Sequence, residues 1–234
     1  MLGKPTTFWG KLQRGRDGEV ACWHPLLAHC ADVAAVAEAL LTRTILGARL
    51  ARLAGEERLD AVTVARLGWF AALHDLGKLN HGFQAKAAPL DARVDRRGHV
   101  VEALALFHPV MRDADLTALQ QRLPLESLVA WGSDDVAFHL LIAAIGHHGR
   151  PGHVDAAHFD RALWRPRDGR DPAAGLGALA EAAREWFPAA FTAGGPPLPT
   201  APEFQHTFAG LVMLADPLCQ RSCRLLIARD VARA

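Results

Sequence analysis

Histidine and aspartate cluster at the ends of apolar segments, and these clusters are where the sequence could carry out chemistry. The segment LGWFAALHDLGK places His74 and Asp75 side by side, with Lys78 shortly after them. The segment LLIAAIGHHG ends in His147 and His148. Imidazole and carboxylate groups need polar partners when they are buried. Apolar segments that end in them therefore indicate either a solvated helix end or a metal site.

Three further residues extend this pattern. His29 lies inside an apolar helical segment, where a lone histidine is more often a packed core residue, and His24 competes with it as a candidate ligand. His99 follows Gly98 at the start of another apolar segment. Asp216 ends an uncharged, mostly apolar run, where a carboxylate must be exposed, paired or bound to a metal ion.

Composition restricts the classes of protein to consider. The 234 residues include 12 histidines and no tyrosine, and 26 basic residues against 25 acidic ones leave a formal charge of +1. Half of the residues are apolar, which excludes a disordered chain. The balanced charge argues against a protein that coats duplex DNA or an anionic membrane. No signal peptide and no apolar run of about 18 residues is present, so a cytoplasmic protein without membrane contact is predicted.

The elements that position these residues are predicted to be helical almost throughout. No stretch alternates convincingly between apolar and polar residues, so strands are expected to be few or absent. None of the linkers resembles a domain boundary, which predicts a single all-α domain over residues 1–234. The predicted helices are Leu26–Leu53, Asp60–Leu76, Gly98–Phe107, Leu116–Leu123, Ser133–His148, Ala173–Trp186, Glu203–Asp216 and Leu218–Ala232.

In their order, the motifs resemble the HD-nuclease domain of the type I CRISPR-associated helicase-nuclease, a member of the HD superfamily. The motifs are a histidine in WHPLLAHCADVAAVA, then HDLGK, GH, HH and a late aspartate, spread over roughly residues 8–220. This resemblance implies an HD-superfamily helical bundle and metal-dependent cleavage of single-stranded DNA during CRISPR interference. One departure is that Pro217, Leu218 and Cys219 follow Asp216, where the family commonly has a tryptophan and then a serine.

The resemblance also implies a set of metal ligands. His29, His74, Asp75 and Asp216 would bind one ion. His99, His147 and His148 would bind a second, with Asp75 as a bridge. Five imidazoles favour a divalent transition metal, Mn, Fe, Co, Ni or Zn, over Mg, as one ion or two. The catalytic residues would be His74, Asp75 and Lys78, and Lys78 would contact the scissile phosphate or the leaving oxygen.

Partners follow from the same resemblance. They are single-stranded DNA, a CRISPR helicase that is fused or separate, and a type I surveillance complex. The sequence has no GxxxxGK[ST] phosphate loop, so it is expected to be a stand-alone nuclease or a fragment without the helicase part. Arginines with an aromatic residue among them predict DNA contacts, with a solvated loop as the alternative. The candidate DNA contacts are Arg97, Arg150, Trp164 and Arg165.

Two other functions remain open at this point. An HD phosphohydrolase acting on nucleotides or cyclic nucleotides would share His29, the HD pair and Asp216. It would not need Gly98-His99 or the HH pair. A non-catalytic HD interaction module is the second alternative, although the ligand set is complete. The remaining histidines match no ligand of the family and are expected to be structural: His81, His108, His139, His153, His158 and His206.

Overall fold

The structure is a computed structural model that describes residues 7–108, 114–133, 135–149 and 159–231, without the side chains of residues 115 and 220–231. It contains two strands, β1 (Trp9–Arg14) and β2 (Val20–Pro25), and ten α-helices. The helices are α1 (Leu26–Arg43), α2 (Ile45–Leu53), α3 (Ala61–Ala72), α4 (His81–Gln84), α5 (Val100–Leu106), α6 (Ala114–Gln120), α7 (Leu125–Ala130), α8 (Val136–Ile145), α9 (Pro172–Trp186) and α10 (Pro202–Val231). Short 3₁₀ segments span Leu76–Leu79, Ala85–Ala87, Arg161–Trp164 and Pro188–Phe191.

The predicted all-α class is confirmed, but several helix boundaries differ. The first predicted helix is divided at Thr44, which adopts an extended backbone and whose hydroxyl accepts a hydrogen bond from the Leu46 N–H. Threonine competes with the helix in this way and starts α2 as its N-cap. The last two predicted helices form one, because Pro217 lies within α10 without ending it. Helix α7 was not predicted. Among the described residues, no helix is long and apolar enough to cross a membrane.

The N-terminal hairpin is the main element that the sequence did not predict. Strands β1 and β2 are antiparallel and form the two-stranded sheet. Their register shifts between Trp9 and Lys11 and again between Gln13 and Arg14. Such irregularities add a residue to one strand and interrupt the alternation of side chains between the two faces. The period-2 signal that would have revealed the hairpin is therefore broken at both ends of β1.

Helix α3 lies at the centre of the fold. It packs against α1, α8 and α9, and both α1 and α8 also pack against α10. The Asp60 carboxylate caps α3 by accepting hydrogen bonds from the Val62 and Thr63 N–H groups. Trp69 is completely buried, and its ring meets that of Trp131 edge to face at 5.5 Å. Burial continues without interruption from Thr63 to Gln84, so the polar HDLGK segment that follows α3 is carried into the interior.

Candidate metal centre

The HD pair lies just beyond the end of α3. The sequence predicted that the helix would continue to Leu76, but it ends at Ala72, and His74 and Asp75 occupy a turn before the Leu76–Leu79 3₁₀ segment. Neighbouring side chains on a helix diverge by about 100°. Leaving the helix allows the two side chains to converge, and His74 Nε2 lies 3.2 Å from Asp75 Oδ2.

The structure brings all of the predicted metal ligands together. His29, His74 and Asp75 form one group, and His99, His147 and His148 form another. Within each group the potential ligand atoms lie within 4.8 Å of one another. Asp216 joins the first group, since its Oδ1 lies 3.3 Å from His29 Nε2. The competing candidate His24 belongs to neither group, because it lies on β2 and pairs with Asp32 at 3.0 Å.

Asp75 connects the two groups. Its Oδ2 lies 3.0 Å from His29 Nε2 and 3.2 Å from His74 Nε2. Its Oδ1 faces the other way, 3.2 Å from His99 Nε2 and 3.9 Å from His147 Nε2. The side chain is completely buried. One carboxylate oxygen thus faces each group, as a carboxylate that bridges two cations requires.

Two of the histidines are oriented by the same kind of hydrogen bond to a backbone carbonyl. His74 Nδ1 lies 2.8 Å from the Ala71 carbonyl, and His147 Nδ1 lies 2.9 Å from the Ala144 carbonyl. A carbonyl only accepts hydrogen bonds, so Nδ1 carries the proton and Nε2 presents its lone pair. Within the described part of the chain, both Nε2 atoms are buried without a hydrogen-bond partner. Buried nitrogens left in this state fit metal ligation.

The second group contains a contact that a shared cation would explain. His99 Nε2 lies 3.0 Å from His148 Nε2. At that distance one ring can donate an N–H···N hydrogen bond to the other, or both nitrogens can present lone pairs to one cation. Imidazole nitrogens that bind one Zn²⁺ at about 2.0–2.1 Å in its usual tetrahedral arrangement are about 3.3–3.4 Å apart, which is close to this separation. The chemistry and spacing of these donors therefore fit a divalent metal ion.

The protonation states also suit metal binding. Burial lowers the pKa values of His99 and His148, and burial together with the neighbouring His74 lowers the pKa of His147 to about 3. Burial raises the pKa of the Asp75 carboxyl, but the adjacent His74 side chain, the Lys78 ammonium and the hydrogen bond with His29 outweigh it, and the pKa lies well below its usual range. Burial also raises the pKa of the Asp216 carboxyl, but hydrogen bonds with His29 and Lys11 outweigh it and the pKa is lowered. At neutral pH these imidazoles are uncharged and both carboxylates are ionised, which are the forms that bind cations.

Comparison with known proteins assigns this chain to a family. The family model described as "Cas3, HD domain" matches residues 9–219. The chain belongs to the Cas3 HD-domain family. The resemblance noted in the sequence is therefore confirmed, together with its HD-domain fold.

Solved structures of Cas3 resemble this HD domain. A crystal structure of T. fusca Cas3 is 23% identical with a TM-score of 0.59, and the match covers 95% of this chain and 23% of that one. A crystal structure of the Thermus thermophilus Cas3 HD domain in the presence of Ni²⁺ is 28% identical with a TM-score of 0.50, covering 84% of this chain and 71% of that one. This HD domain thus spans about a quarter of the T. fusca Cas3 chain. No curated protein matches.

Two lysines contact the carboxylates of Asp75 and Asp216 in the site. Lys78 was predicted as a catalytic residue, and its buried ammonium pairs with Asp75 and donates a 2.9 Å hydrogen bond to the Gly10 carbonyl. Lys11 was not predicted, yet its ammonium lies 2.8 and 3.0 Å from the two oxygens of Asp216. Lys11 is 205 residues away from Asp216 and lies on an unpredicted strand, so no local sequence signal pointed to it.

Asp216 remains part of the site, although the residues that follow it differ from those common in the family. Asp216 and Cys219 are three residues apart on α10, and both reach the first ligand group. Cys219 Sγ lies 3.9 Å from His29 Nδ1, on the side of the ring opposite the nitrogen that faces Asp75. Cys219 therefore lies against His29 at the back of the first group.

The candidate DNA contacts lie in different environments. Trp164 is 3% exposed and packs within the hydrophobic core, so its ring is not available to stack on a base and that prediction is wrong. Arg97 and Arg165 lie at the surface, and Arg97 pairs with Asp95 at 2.9 Å. Arg150 lies outside the described residues.

The remaining histidines belong to neither ligand group wherever the structure describes them. His81 is buried, and its Nε2 lies 2.9 Å from the Arg165 carbonyl. His139 and His206 are exposed on α8 and α10, and His108 is half-buried. His153 and His158 fall outside the described residues.

The number of bound metal ions tests the assignment of the second ligand group. In His148→Ala we expect one of two bound ions to be lost and the other to be kept, because His148 belongs to the second group alone. Metal content after dialysis against buffer with trace Mn²⁺ measures this. His139→Ala, an exposed histidine on α8, is the matched control and should keep both ions. Two ions retained in His148→Ala would contradict the assignment of that histidine.

Proposed function

We propose that this HD domain is a metal-dependent nuclease that cleaves single-stranded DNA during CRISPR interference. The observation that carries the proposal is the pair of ligand groups joined by Asp75. Family membership supports a CRISPR-associated metal-dependent hydrolase. Single-stranded DNA as the substrate, and a helicase and a type I surveillance complex as partners, are the further parts of the proposal.

The ligand groups suit a site for two divalent cations. We assign His29, His74, Asp75 and Asp216 to one ion. His99, His147 and His148 would bind the other, shared through Asp75. Two such ions would activate a water molecule and stabilise the charge that develops on the phosphate. The abundance of imidazole favours Mn, Fe, Co, Ni or Zn over Mg, in keeping with the Thermus thermophilus relative studied with Ni²⁺.

This chain's own residues would prepare the site for an anionic substrate. With two divalent ions bound, the ammonium groups of Lys78 and Lys11 would offset the carboxylates of Asp75 and Asp216 and leave the site strongly positive, which suits an anionic phosphodiester. Lys78 holds Asp75 through its ammonium group. Contact of Lys78 with the leaving oxygen stays a prediction, as do DNA contacts by Arg97 and Arg165.

An HD phosphohydrolase of nucleotides is the second candidate function. Such an enzyme would need only the first ligand group, which His29, His74 and Asp75 form. The second group, in which His99 and His148 lie 3.0 Å apart, favours the nuclease because it would supply a second cation site. The ligand set of both groups is complete, which argues against a non-catalytic interaction module.

The deciding experiment incubates metal-stripped protein with circular single-stranded DNA. Mn²⁺, Ni²⁺, Co²⁺, Zn²⁺ or Mg²⁺ is added back singly, with a chelator as the negative arm. We expect cleavage with at least one of the transition metals and none with the chelator. Circular DNA has no ends, so its cleavage also reveals endonuclease activity.

Each other outcome has a defined meaning. Hydrolysis of mononucleotides or cyclic nucleotides without cleavage of DNA would favour the phosphohydrolase. Metal binding without hydrolysis of either substrate would favour the interaction module. Equal cleavage of duplex and single-stranded DNA would contradict the proposed substrate.

A further inference from the structure

Strand β1 forms one wall of the metal centre. The Trp9 N–H donates to Gln84 Oε1 at 3.1 Å, and Gln84 Nε2 donates to the Trp9 carbonyl at 3.0 Å and to the Lys78 carbonyl at 2.7 Å. Gln84 thereby joins β1 to the buried segment that carries the HD pair. The strand is positioned by the same segment that positions Asp75.

Gly10 brings this wall close to a metal ligand. A Cβ placed on Gly10 would lie 3.0 Å from His29 Cβ and 3.2 Å from Leu26 Cα. Both contacts are tighter than ordinary packing, so the strand approaches the start of α1 as closely as a glycine permits. The Gly10 carbonyl also accepts the hydrogen bond from Lys78. The backbone at Gly10 is thus fixed from two sides.

Lys11 is the next residue, and it reaches Asp216 from this fixed backbone. Its ammonium contacts both carboxylate oxygens, Oδ1 at 2.8 Å and Oδ2 at 3.0 Å. Oδ1 is also the oxygen that lies 3.3 Å from His29 Nε2. Rotation of an aspartate carboxylate about its last bond is broad, so the side chain's own rotamer does not set the direction of its oxygens. A partner that contacts both oxygens does set it.

We propose that Lys11 is a positioning residue for Asp216, which orients the carboxylate toward the first ligand group. This inference rests on the proposed metal-dependent function. Residues that hold a metal ligand in place commonly contribute 10–100-fold to metal affinity. We expect Lys11 to increase metal affinity by orienting Asp216, although its own positive charge opposes the binding of a nearby cation.

The opposing charge makes the direction of the effect decisive. Removal of a lysine near a cation site strengthens cation binding by electrostatics alone. Removal of an orienting partner weakens it. A loss of affinity in Lys11→Met therefore identifies positioning, whereas a gain identifies simple electrostatic repulsion and would overturn the proposal.

The test is a Co²⁺ titration of the metal-stripped protein followed by visible absorbance, which reports both affinity and coordination. In Lys11→Met we expect Co²⁺ affinity at the first ligand group to fall by about 10-fold or more with an altered spectrum. Lys11→Arg, which keeps a two-pronged cationic donor, should stay within about threefold of the wild type. Arg16→Met removes an exposed cation from the same hairpin and should bind as the wild type does.

The outcomes separate this inference from the proposed function. Unchanged or increased Co²⁺ affinity in Lys11→Met overturns the role of Lys11, whatever the protein does to DNA. Weakened affinity in a protein that fails to cleave DNA even as wild type leaves the role of Lys11 intact and overturns the nuclease. If Lys11→Met does not fold by circular dichroism, Lys11→Gln, which keeps the position polar, takes its place with the same expected loss and the same overturning result.

Discussion

Replacing Asp75 by asparagine is expected to eliminate DNA cleavage, with a fall in rate of about 10³-fold or more. The amide side chain would keep the shape of the aspartate but lose the negative charge that faces both ligand groups. The substitution would also leave the buried ammonium of Lys78 without its counter-charge. A metal ion supplies several kcal/mol of transition-state stabilisation, and each 1.36 kcal/mol corresponds to about tenfold in rate. Breaking the buried ion pair would separately lower the free energy of unfolding by about 3–5 kcal/mol.

Metal content and cleavage of circular single-stranded DNA measure this effect together. We expect Asp75→Asn to retain less than one equivalent of Mn²⁺ after dialysis, because both sites depend on this carboxylate. Asp168→Asn is the matched control, since the Asp168 side chain is 87% exposed and pairs weakly with Arg167 at 4.0 Å. Two retained ions in Asp75→Asn would contradict the bridging role of this residue.

Gly77→Ala should be nearly as damaging although Gly77 is not a ligand. A Cβ at this position would lie 1.9 Å from the His99 carbonyl oxygen and 2.8 Å from Ala103 Cβ. The start of α5, which carries His99, must therefore move away from the HD segment. Asn80 ties the two segments together, since its Nδ2 donates to both the Gly77 and the Gly98 carbonyls. The added methyl group would push apart the two segments that Asn80 holds together.

We expect Gly77→Ala to lose about 10²-fold in cleavage rate and about 1–3 kcal/mol in free energy of unfolding. The first value follows from the cost of misplacing a catalytic group by about 1 Å, and the second from overpacking. Chemical denaturation and the DNA cleavage assay measure them. Gly98→Ala is a matched control, because a Cβ there meets no atom within 4 Å. Equal behaviour of the two variants would show that His99 tolerates displacement.

Much of the candidate site could be predicted because its ligands lie in short local motifs. His74 with Asp75 and His147 with His148 each follow an apolar segment, and such segments are recognisable from composition alone. In the structure both pairs lie in a turn just after a helix, which is a property of a few neighbouring residues. The same locality explains why the helices themselves were largely predicted.

Other features depended on contacts that a local pattern does not contain. Trp164 lies among arginines in the sequence, which suggested a DNA-binding loop, yet its ring is buried in the core. The hairpin was missed because its two irregularities break the alternation of β1. The division of the first helix at Thr44 depends on one hydroxyl group, and the periodicity of apolar residues contains no sign of it.

The sequence by itself determined the helical class of this protein, its family and the residue types available to bind metal. Tertiary structure alone decided that the oxygens of Asp75 face two different groups and that Lys11 contacts Asp216 across 205 residues. The reason is that amphipathic periodicity and short motifs are local properties of the chain. The direction of a carboxylate and the partner of a lysine depend instead on how distant elements pack, which only the complete fold specifies.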